Sequence, residues 1–224
     1  MRNLDLSLPA LYAMLKHVPF EVGPDEVAAL ARQHPDVAKC VANMDLSGAD
    51  FPLRDVALYG LAECERALIT GDLLDAGDVD GLGARMNLSH NGDRVTLWHP
   101  DCTPFAVRAT DEYMDALIAR AASLTPLGES GAALWQQPGA YGCSVPKIDG
   151  MVDLSLRCPG VLGAQLAGAG LGGCIMILAQ NERAEAVQDA LRRNYYEAEG
   201  IEPQMFVCRP GRGSRTLTSV DAGD

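Results

Sequence analysis

The feature that most constrains this chain is a glycine-rich loop between two apolar runs. The runs are 161–167 (VLGAQLA) and 174–179 (CIMILA), and four of the six residues between them are glycine. Glycine reaches positive φ without strain and allows a second backbone or a phosphate to approach where a Cβ would block it. The pattern therefore predicts a strand, a tightly turned loop and a second strand.

Two common nucleotide-binding loops do not account for this pattern. The letters fit G-x-G-x-x-G, but the last glycine of a dinucleotide fingerprint opens a helix, whereas 174–178 (CIMIL) is typical of a buried strand. A Walker loop requires Lys and then Ser or Thr after its last glycine, where Cys174 and Ile175 stand. For the loop by itself, two interpretations remain: a packed turn between core strands, or part of a nucleotide site of another kind.

Other segments accompany the loop: YGCSVPKID at 141–149, CPGVLG at 158–163 and GIEPQMFVCRP at 200–210, with LRDVALYGLAECERA at 53–67 and GARMNLSH at 83–90 upstream. Together they resemble the C-terminal half of galactokinases, in the GHMP family of small-molecule kinases. Positions that match two of the family's motifs are Ser144, Pro146, Ile148, Asp149, Pro159 to Gly163, Gly168, Gly170, Gly172, Gly173 and Cys174. The resemblance extends from about 51 to 90 and from about 141 to 210.

The resemblance implies transfer of the γ-phosphoryl group of ATP, with Mg²⁺, to the anomeric hydroxyl of a monosaccharide. In galactokinases the catalytic Asp and Arg, most sugar contacts and the serine-rich phosphate loop belong to the N-terminal half, and they have no counterpart here. We therefore expect no catalytic residue and no metal ligand in this chain. The predicted cofactor-binding residues, which support the nucleotide site beside that phosphate loop, are Gly168, Ala169, Gly170, Gly172 and Gly173.

The predicted partners are an N-terminal kinase half, in the same gene or on a separate chain, and a small-molecule sugar. The alternative is a non-catalytic sugar- or nucleotide-binding or regulatory module that retains the fold. A formal net charge of −12 argues against nucleic acid and anionic membranes as partners, since both are recognised through clustered Lys and Arg. No membrane span or leader segment is recognisable, so the predicted location is cytoplasmic.

The order of predicted elements indicates an α+β fold, a ferredoxin-like antiparallel sheet covered by helices. Helices are expected at 9–17, 25–30, 51–70, 78–90, 111–124, 145–157 and 181–199, and a last strand at Gln204–Cys208. We expect Asp50 and Ser144 to act as N-caps. The helix at 51–70 is expected to bury one face, made of Leu53, Val56, Ala57, Gly60, Leu61, Cys64, Ala67 and Leu68.

The chain is predicted to form a single domain, 1–224, with a partly ordered insertion at about 91–140 and a mobile tail at about 211–224. Galactokinases have only a short segment where the insertion lies, so we expect a packed appendage, either a lid or interface or a plain surface elaboration. On this view, deletion of 92–139 leaves a folded domain. His90 is predicted to be a structural histidine at a helix end.

Overall fold

The structure is a computed structural model that describes residues 6–48, 50–98, 104–105, 107–123, 125, 131–168, 170 and 173–209. The predicted tail at 211–224 lies outside the described residues. Three short helices begin the described chain: α1 (Leu8–His17), α2 (Pro24–Gln33) and α3 (Pro35–Val41). Each has proline in its first turn, where the missing N–H has no helical partner to lose. The sequence predicts the first two of these helices and misses α3.

Two long helices follow, α4 (Leu53–Ala76) and α5 (Val79–Asp93). Gly77, with φ of +69°, ends α4, and the Asp78 carboxylate caps α5 by accepting a 2.8 Å hydrogen bond from the Gly81 N–H. The predicted Asp50 cap is wrong, because the N-cap position of α4 is Pro52 and no side chain caps it.

The predicted buried face of α4 is also mostly wrong, although its residues Ala57 and Leu61 do pack against the core. Leu53, Val56 and Leu68 are 36–50% exposed, whereas Arg54 and Asp55 are buried. The Arg54 guanidinium donates to the carbonyl oxygens of three residues and to one carboxylate: Lys16 (2.9 Å), Val18 (3.0 Å), Ala109 (3.1 Å) and Asp111 (2.6 Å). A buried charge is tolerated when its donors are satisfied in this way, so the charged side of α4 turns inward.

The insertion contributes to the main core. It contains a short antiparallel pair, β1 (Leu97–Trp98) with β2 (Pro104–Phe105), and the helix α6 (Asp111–Ala121), whose first turn is capped by Thr110. The core consists of side chains from α1, α4 and the insertion: Tyr12, Leu15, Leu58, Ala109, Met114, Leu117 and Ala132. Four of these seven residues come from the insertion, so the interpretation of it as an appendage is wrong.

The C-terminal part is built on a β-hairpin. Helix α7 (Pro146–Leu156) precedes β3 (Val161–Ala167) and β4 (Cys174–Ala179), which pair antiparallel, and α5 and α7 pack against β3. Helix α8 (Ala184–Leu191) continues through a π-helical turn to Tyr196 and ends before Gly200. Ile148 and Val152 of α7 are buried, but Ser144 is not the cap, since Val145 occupies that position without a capping side chain.

The fold is mostly helical with a two-stranded antiparallel sheet. The predicted strand at Gln204–Cys208 is absent, because this segment makes no strand pairing with the described residues and leaves Phe206 85% exposed. Within the described ranges, the main sheet is therefore β3 and β4 alone, and the additional strands of a ferredoxin-like sheet are not formed there.

Candidate functional site

The hairpin presents the predicted nucleotide-supporting loop at the turn between β3 and β4. Three of its five predicted residues are described, and all three have positive φ: Gly168 (+87°), Gly170 (+85°) and Gly173 (+117°). L-residues with a side chain adopt such angles at a cost, so glycine is required by the backbone alone. Ala169 and Gly172, also predicted as cofactor-binding, lie outside the described residues.

The three described glycines differ in their surroundings. A Cβ on Gly168 or Gly173 would meet no atom of the described residues within 4 Å. A Cβ on Gly170 would overlap the carbonyl oxygen of Cys143 and lie 3.0 Å from the Cys143 Cβ. Gly170 therefore secures the loop by close backbone packing, whereas Gly168 and Gly173 leave open space beside the backbone that a phosphate or another loop can approach.

The segment behind Gly170 is fixed to the end of α5. The N–H groups of Tyr141 and Gly142 donate to the Gly92 carbonyl at 2.7 and 3.1 Å, and the Ser144 N–H donates to the Asp93 carbonyl at 2.9 Å. The Cys143 thiol donates to Asp93 Oδ1 at 3.3 Å. This strap, defined as residues 141–144, thus connects the last turn of α5 to the glycine loop.

Burial raises the pKa values of Cys143, in the strap, and of Asp93, its hydrogen-bonding partner. It raises the pKa of the Cys143 thiol to about 12, and the Asp93 carboxylate adds to the same effect. For Asp93, burial is the largest cause of the raised pKa. Its hydrogen bonds with the Tyr59 hydroxyl and the Cys143 thiol act in the opposite direction and lower it. The Cys143 sulfur therefore stays a neutral hydrogen-bond donor at physiological pH, unsuited to act as a nucleophile.

The helix α5 closes the free edge of β3. The Asn87 carbonyl Oδ1 accepts the Ala164 N–H at 2.9 Å, and His90 Nδ1 accepts the Leu166 N–H at 3.2 Å. Gly83 and Gly163 lack side chains where the two backbones meet, since a Cβ on Gly163 would lie 2.5 Å from the Gly83 carbonyl oxygen. The NLSH segment of the sequence therefore completes the sheet with side chains in place of a strand.

His90 belongs to a buried polar pair. Because Nδ1 accepts a hydrogen bond, the neutral ring carries its proton on Nε2, which lies 3.5 Å from Asp149 Oδ1. The other oxygen of Asp149 accepts the N–H groups of Val95 and Thr96 at 3.1 and 2.9 Å. Burial, and then the positive charge of Arg94, lower the pKa of His90 to about 4. The prediction of a structural His90 agrees with this geometry, which brings the GARMNLSH segment next to the segment that carries Asp149.

A groove of about 450 Å³ lies between the hairpin, α4 and α5, separate from the described glycines of the loop. Arg66 borders it, but its donors are taken by Glu63 and by the carbonyl oxygens of Trp135 (2.8 Å) and Gln137 (3.0 Å). The Arg85 guanidinium lies over the Trp135 ring, 4.1 Å from its centroid. The remaining lining is mostly apolar: Ala67, Leu82, Met86, Met176, Ile177 and Leu178, with Thr70, Ser89 and Gln165.

Two searches of the described residues concern metals and membranes. No three His, Cys, Asp or Glu side chains in these residues lie close enough together to hold a metal ion. None of the described helices combines the length and apolar character that crossing a membrane requires. The expectation that this chain supplies no Mg²⁺ ligand and no catalytic residue stays a prediction.

Comparison with known proteins gives one family match and several relatives. Residues 120–197 match the family model for the C-terminal region of GHMP kinases. A galactokinase of Roseiflexus is 27% identical over 162 residues, which is 72% of this chain and 30% of that protein. Galactokinases of Pasteurella multocida and Glaesserella parasuis are 32% and 36% identical over 48% and 34% of this chain.

The chain spans only 20–30% of the length of these relatives. No solved structure matches it. The family match includes the strap, α7, the hairpin and most of the last helical segment. Residues 120–197 are therefore similar to the C-terminal region of GHMP kinases, and 72% of the chain is distantly similar to part of galactokinases.

Proposed function

We propose that this chain is the C-terminal domain or subunit of an ATP-dependent monosaccharide kinase of the galactokinase type, which phosphorylates the anomeric hydroxyl of its sugar. The observation that carries the proposal is the family match over 120–197, which includes the glycine loop, together with the galactokinase relatives. The remaining part of the kinase, which corresponds to the larger share of the relatives' length, is the proposed partner.

In this proposal the glycine loop supports the nucleotide site. When bound, Mg·ATP supplies the phosphoryl group, and such chemistry depends on positioning and on neutralising charge. The open space beside Gly168 and Gly173 suits the approach of a phosphate or of a phosphate-binding loop, since backbone without a side chain allows such close contact. Gly170 instead holds the loop against the strap.

We further infer that the ferredoxin-like sheet of the family is completed only in the whole kinase. Two observations support this inference. The strand β4 is a sheet edge without a partner among the described residues, and Gln204–Cys208 leaves Phe206 and Val207 exposed. A two-stranded hairpin is marginal unless further strands or helices cover it.

One specific observation favours a second candidate, a non-catalytic sugar- or nucleotide-binding or regulatory module. The insertion builds the main core through Met114 and Leu117, so this chain has departed from the compact arrangement of the matched segments in galactokinases. A chain with that much rebuilt structure can retain the fold after losing the chemistry.

A sugar-panel assay distinguishes the two candidates. The chain by itself is expected to release no ADP above background with ATP and galactose or related sugars, since its described residues offer no clustered carboxylates for Mg²⁺. Addition of the N-terminal part of the same kinase is expected to give sugar-dependent ADP release. Activity of the chain alone would contradict the proposal that it needs the N-terminal part. Lack of activity in the presence of that part would favour the second candidate.

A matched pair of glycine substitutions tests the role of the loop in that complex. Gly168→Ala and Gly200→Ala both place a side chain at positive φ in open space, so each is expected to cost about 1 kcal/mol of stability. Only Gly168→Ala is expected to lower sugar-dependent activity, because Gly200 lies beyond the last helix. If both variants lose activity equally and in proportion to lost stability, the loop is only a packed turn.

A further inference from the structure

Residues outside the glycine loop determine how firmly its described part is held. Gly170 contacts the carbonyl group of Cys143, in the middle of the strap. The strap is in turn fixed to α5 by three backbone hydrogen bonds, which leave the Cys143 peptide between two anchored neighbours. A change in the orientation of Cys143 is therefore passed to Gly170 directly.

The side chain of Cys143 makes one hydrogen bond among the described residues, to the Asp93 carboxylate. Asp93 is 7% exposed, and Tyr59 is a second hydrogen-bonding partner of its carboxylate. A carboxylate accepts hydrogen bonds more strongly than a neutral oxygen, which compensates for the weak donor character of a thiol. Since the thiol stays neutral, this contact persists through the physiological pH range.

We propose that Cys143 and Asp93 are positioning residues for the glycine loop: their contact orients the Cys143 carbonyl, which holds Gly170 at positive φ. The consequence for the nucleotide rests on the function proposed above. The positioning itself is a property of this chain and is measurable without a partner. A Cβ added to Gly168 or Gly173 would meet no atom of Cys143 or Asp93 within 4 Å.

A set of three cysteine variants isolates this contact. Cys143→Ala removes the donor, whereas Cys143→Ser keeps a donor of similar size. Cys158→Ala is the matched control, since the Cys158 thiol also donates to an oxygen, the Leu154 carbonyl at 3.4 Å, at the end of α7. Asp93→Ala removes the acceptor. If the Asp93→Ala variant does not fold, the cysteine variants alone test whether the contact positions the loop.

The measurement is the backbone order parameter of Gly170 from ¹⁵N relaxation of the full chain. In the unmodified protein and in Cys143→Ser and Cys158→Ala, the value is expected near that of rigid backbone, about 0.85. In Cys143→Ala it is expected to fall below about 0.6, with β3 residues unchanged. A low value in the unmodified protein, no fall in Cys143→Ala, or an equal fall in Cys158→Ala would overturn the proposal.

The proposed function fails in a distinguishable way. If Cys143→Ala lowers the Gly170 order parameter while sugar-dependent activity of the complex is unchanged, the positioning inference is supported and the loop's role in the nucleotide site is contradicted. A parallel loss of loop order and activity, restored by Cys143→Ser, supports both.

Discussion

The helical core and the hairpin region contrast in how completely they are buried. In the helical core, Tyr12, Leu58 and Met114 are 0% exposed and are covered by α1, α4 and the insertion. In the hairpin region, no residue of β4 is fully buried, and Met176 is 49% exposed. The core that the insertion helps to build is thus more completely buried than the hairpin.

The two regions also differ in what they contribute. The large apolar side chains of the helical core come from α1, α4 and α6, and their burial stabilises the fold. The hairpin contributes a loop, a polar connection to α5 and an edge without a strand partner among the described residues.

The largest expected effect comes from removing the insertion. Deletion of 92–139 with a short flexible link takes away Ala109, Met114, Leu117 and Ala132, so we expect loss of cooperative unfolding, in contrast to the expectation from family resemblance. Thermal unfolding followed by circular dichroism measures it. A cooperative melt in the deleted chain would show that the hairpin region folds without the helical core.

A pair of methionine substitutions measures the same contrast on single side chains. Met114→Ala is expected to cost about 2–5 kcal/mol, because it empties a fully buried site. Met176→Ala, on half-exposed β4, is expected to change stability by within about 0.5 kcal/mol. Denaturant unfolding gives both values. Equal costs would mean that Met176 is covered in solution, for example in an oligomer.

A pH-dependent effect is expected at the junction of α5 with β3. The pKa of His90 is about 4 in the folded protein and about 6.5 in the unfolded chain, so the unfolded chain binds a proton first. The stability that neutral His90 provides is present above pH 6.5 and is lost as pH falls toward 4, by up to about 3 kcal/mol.

Unfolding free energies measured between pH 7 and 4 test this expectation. His90→Gln removes the titration and is expected to flatten the pH dependence, while His17→Gln, at an exposed site, is the control. Asp93 has a raised pKa and contributes with the opposite sign, but it is common to all three chains. The same slope in His90→Gln and the unmodified protein would show that His90 is not buried as a neutral ring.

The sequence predicts helices more successfully than the surfaces they bury. Periodicity correctly indicates α4, α6 and α7, because spacing of apolar residues reports helical geometry. It assigns the wrong face to α4, since the burial of Arg54 depends on carbonyl groups far away in the chain, at Lys16, Val18 and Ala109. Long-range compensation of this kind leaves no local pattern.

In the site, too, the sequence predicts local structure but not the contacts between distant segments. The density of glycines correctly predicts a turn between two strands, and positive φ at Gly168, Gly170 and Gly173 explains it. The contact of Gly170 with Cys143, and the connection of Cys143 to Asp93, are not readable from the sequence, because they join segments about 30 and 50 residues apart. The resemblance identifies the loop, and the structure distinguishes its anchor from its open positions.

The hydrogen bonds that Asn87 and His90 accept from β3 also determine which edge of the sheet stays open. Since the N–H groups of Ala164 and Leu166 point to α5, their partners across the hairpin, Ile177 and Ile175, direct their own backbone groups away from β3. Side chains of α5 thus cover the β3 edge of the sheet. The backbone donors and acceptors of the β4 edge have no strand partner among the described residues. Within the described residues, the sheet edge open to a further strand is therefore the one that carries these two isoleucines.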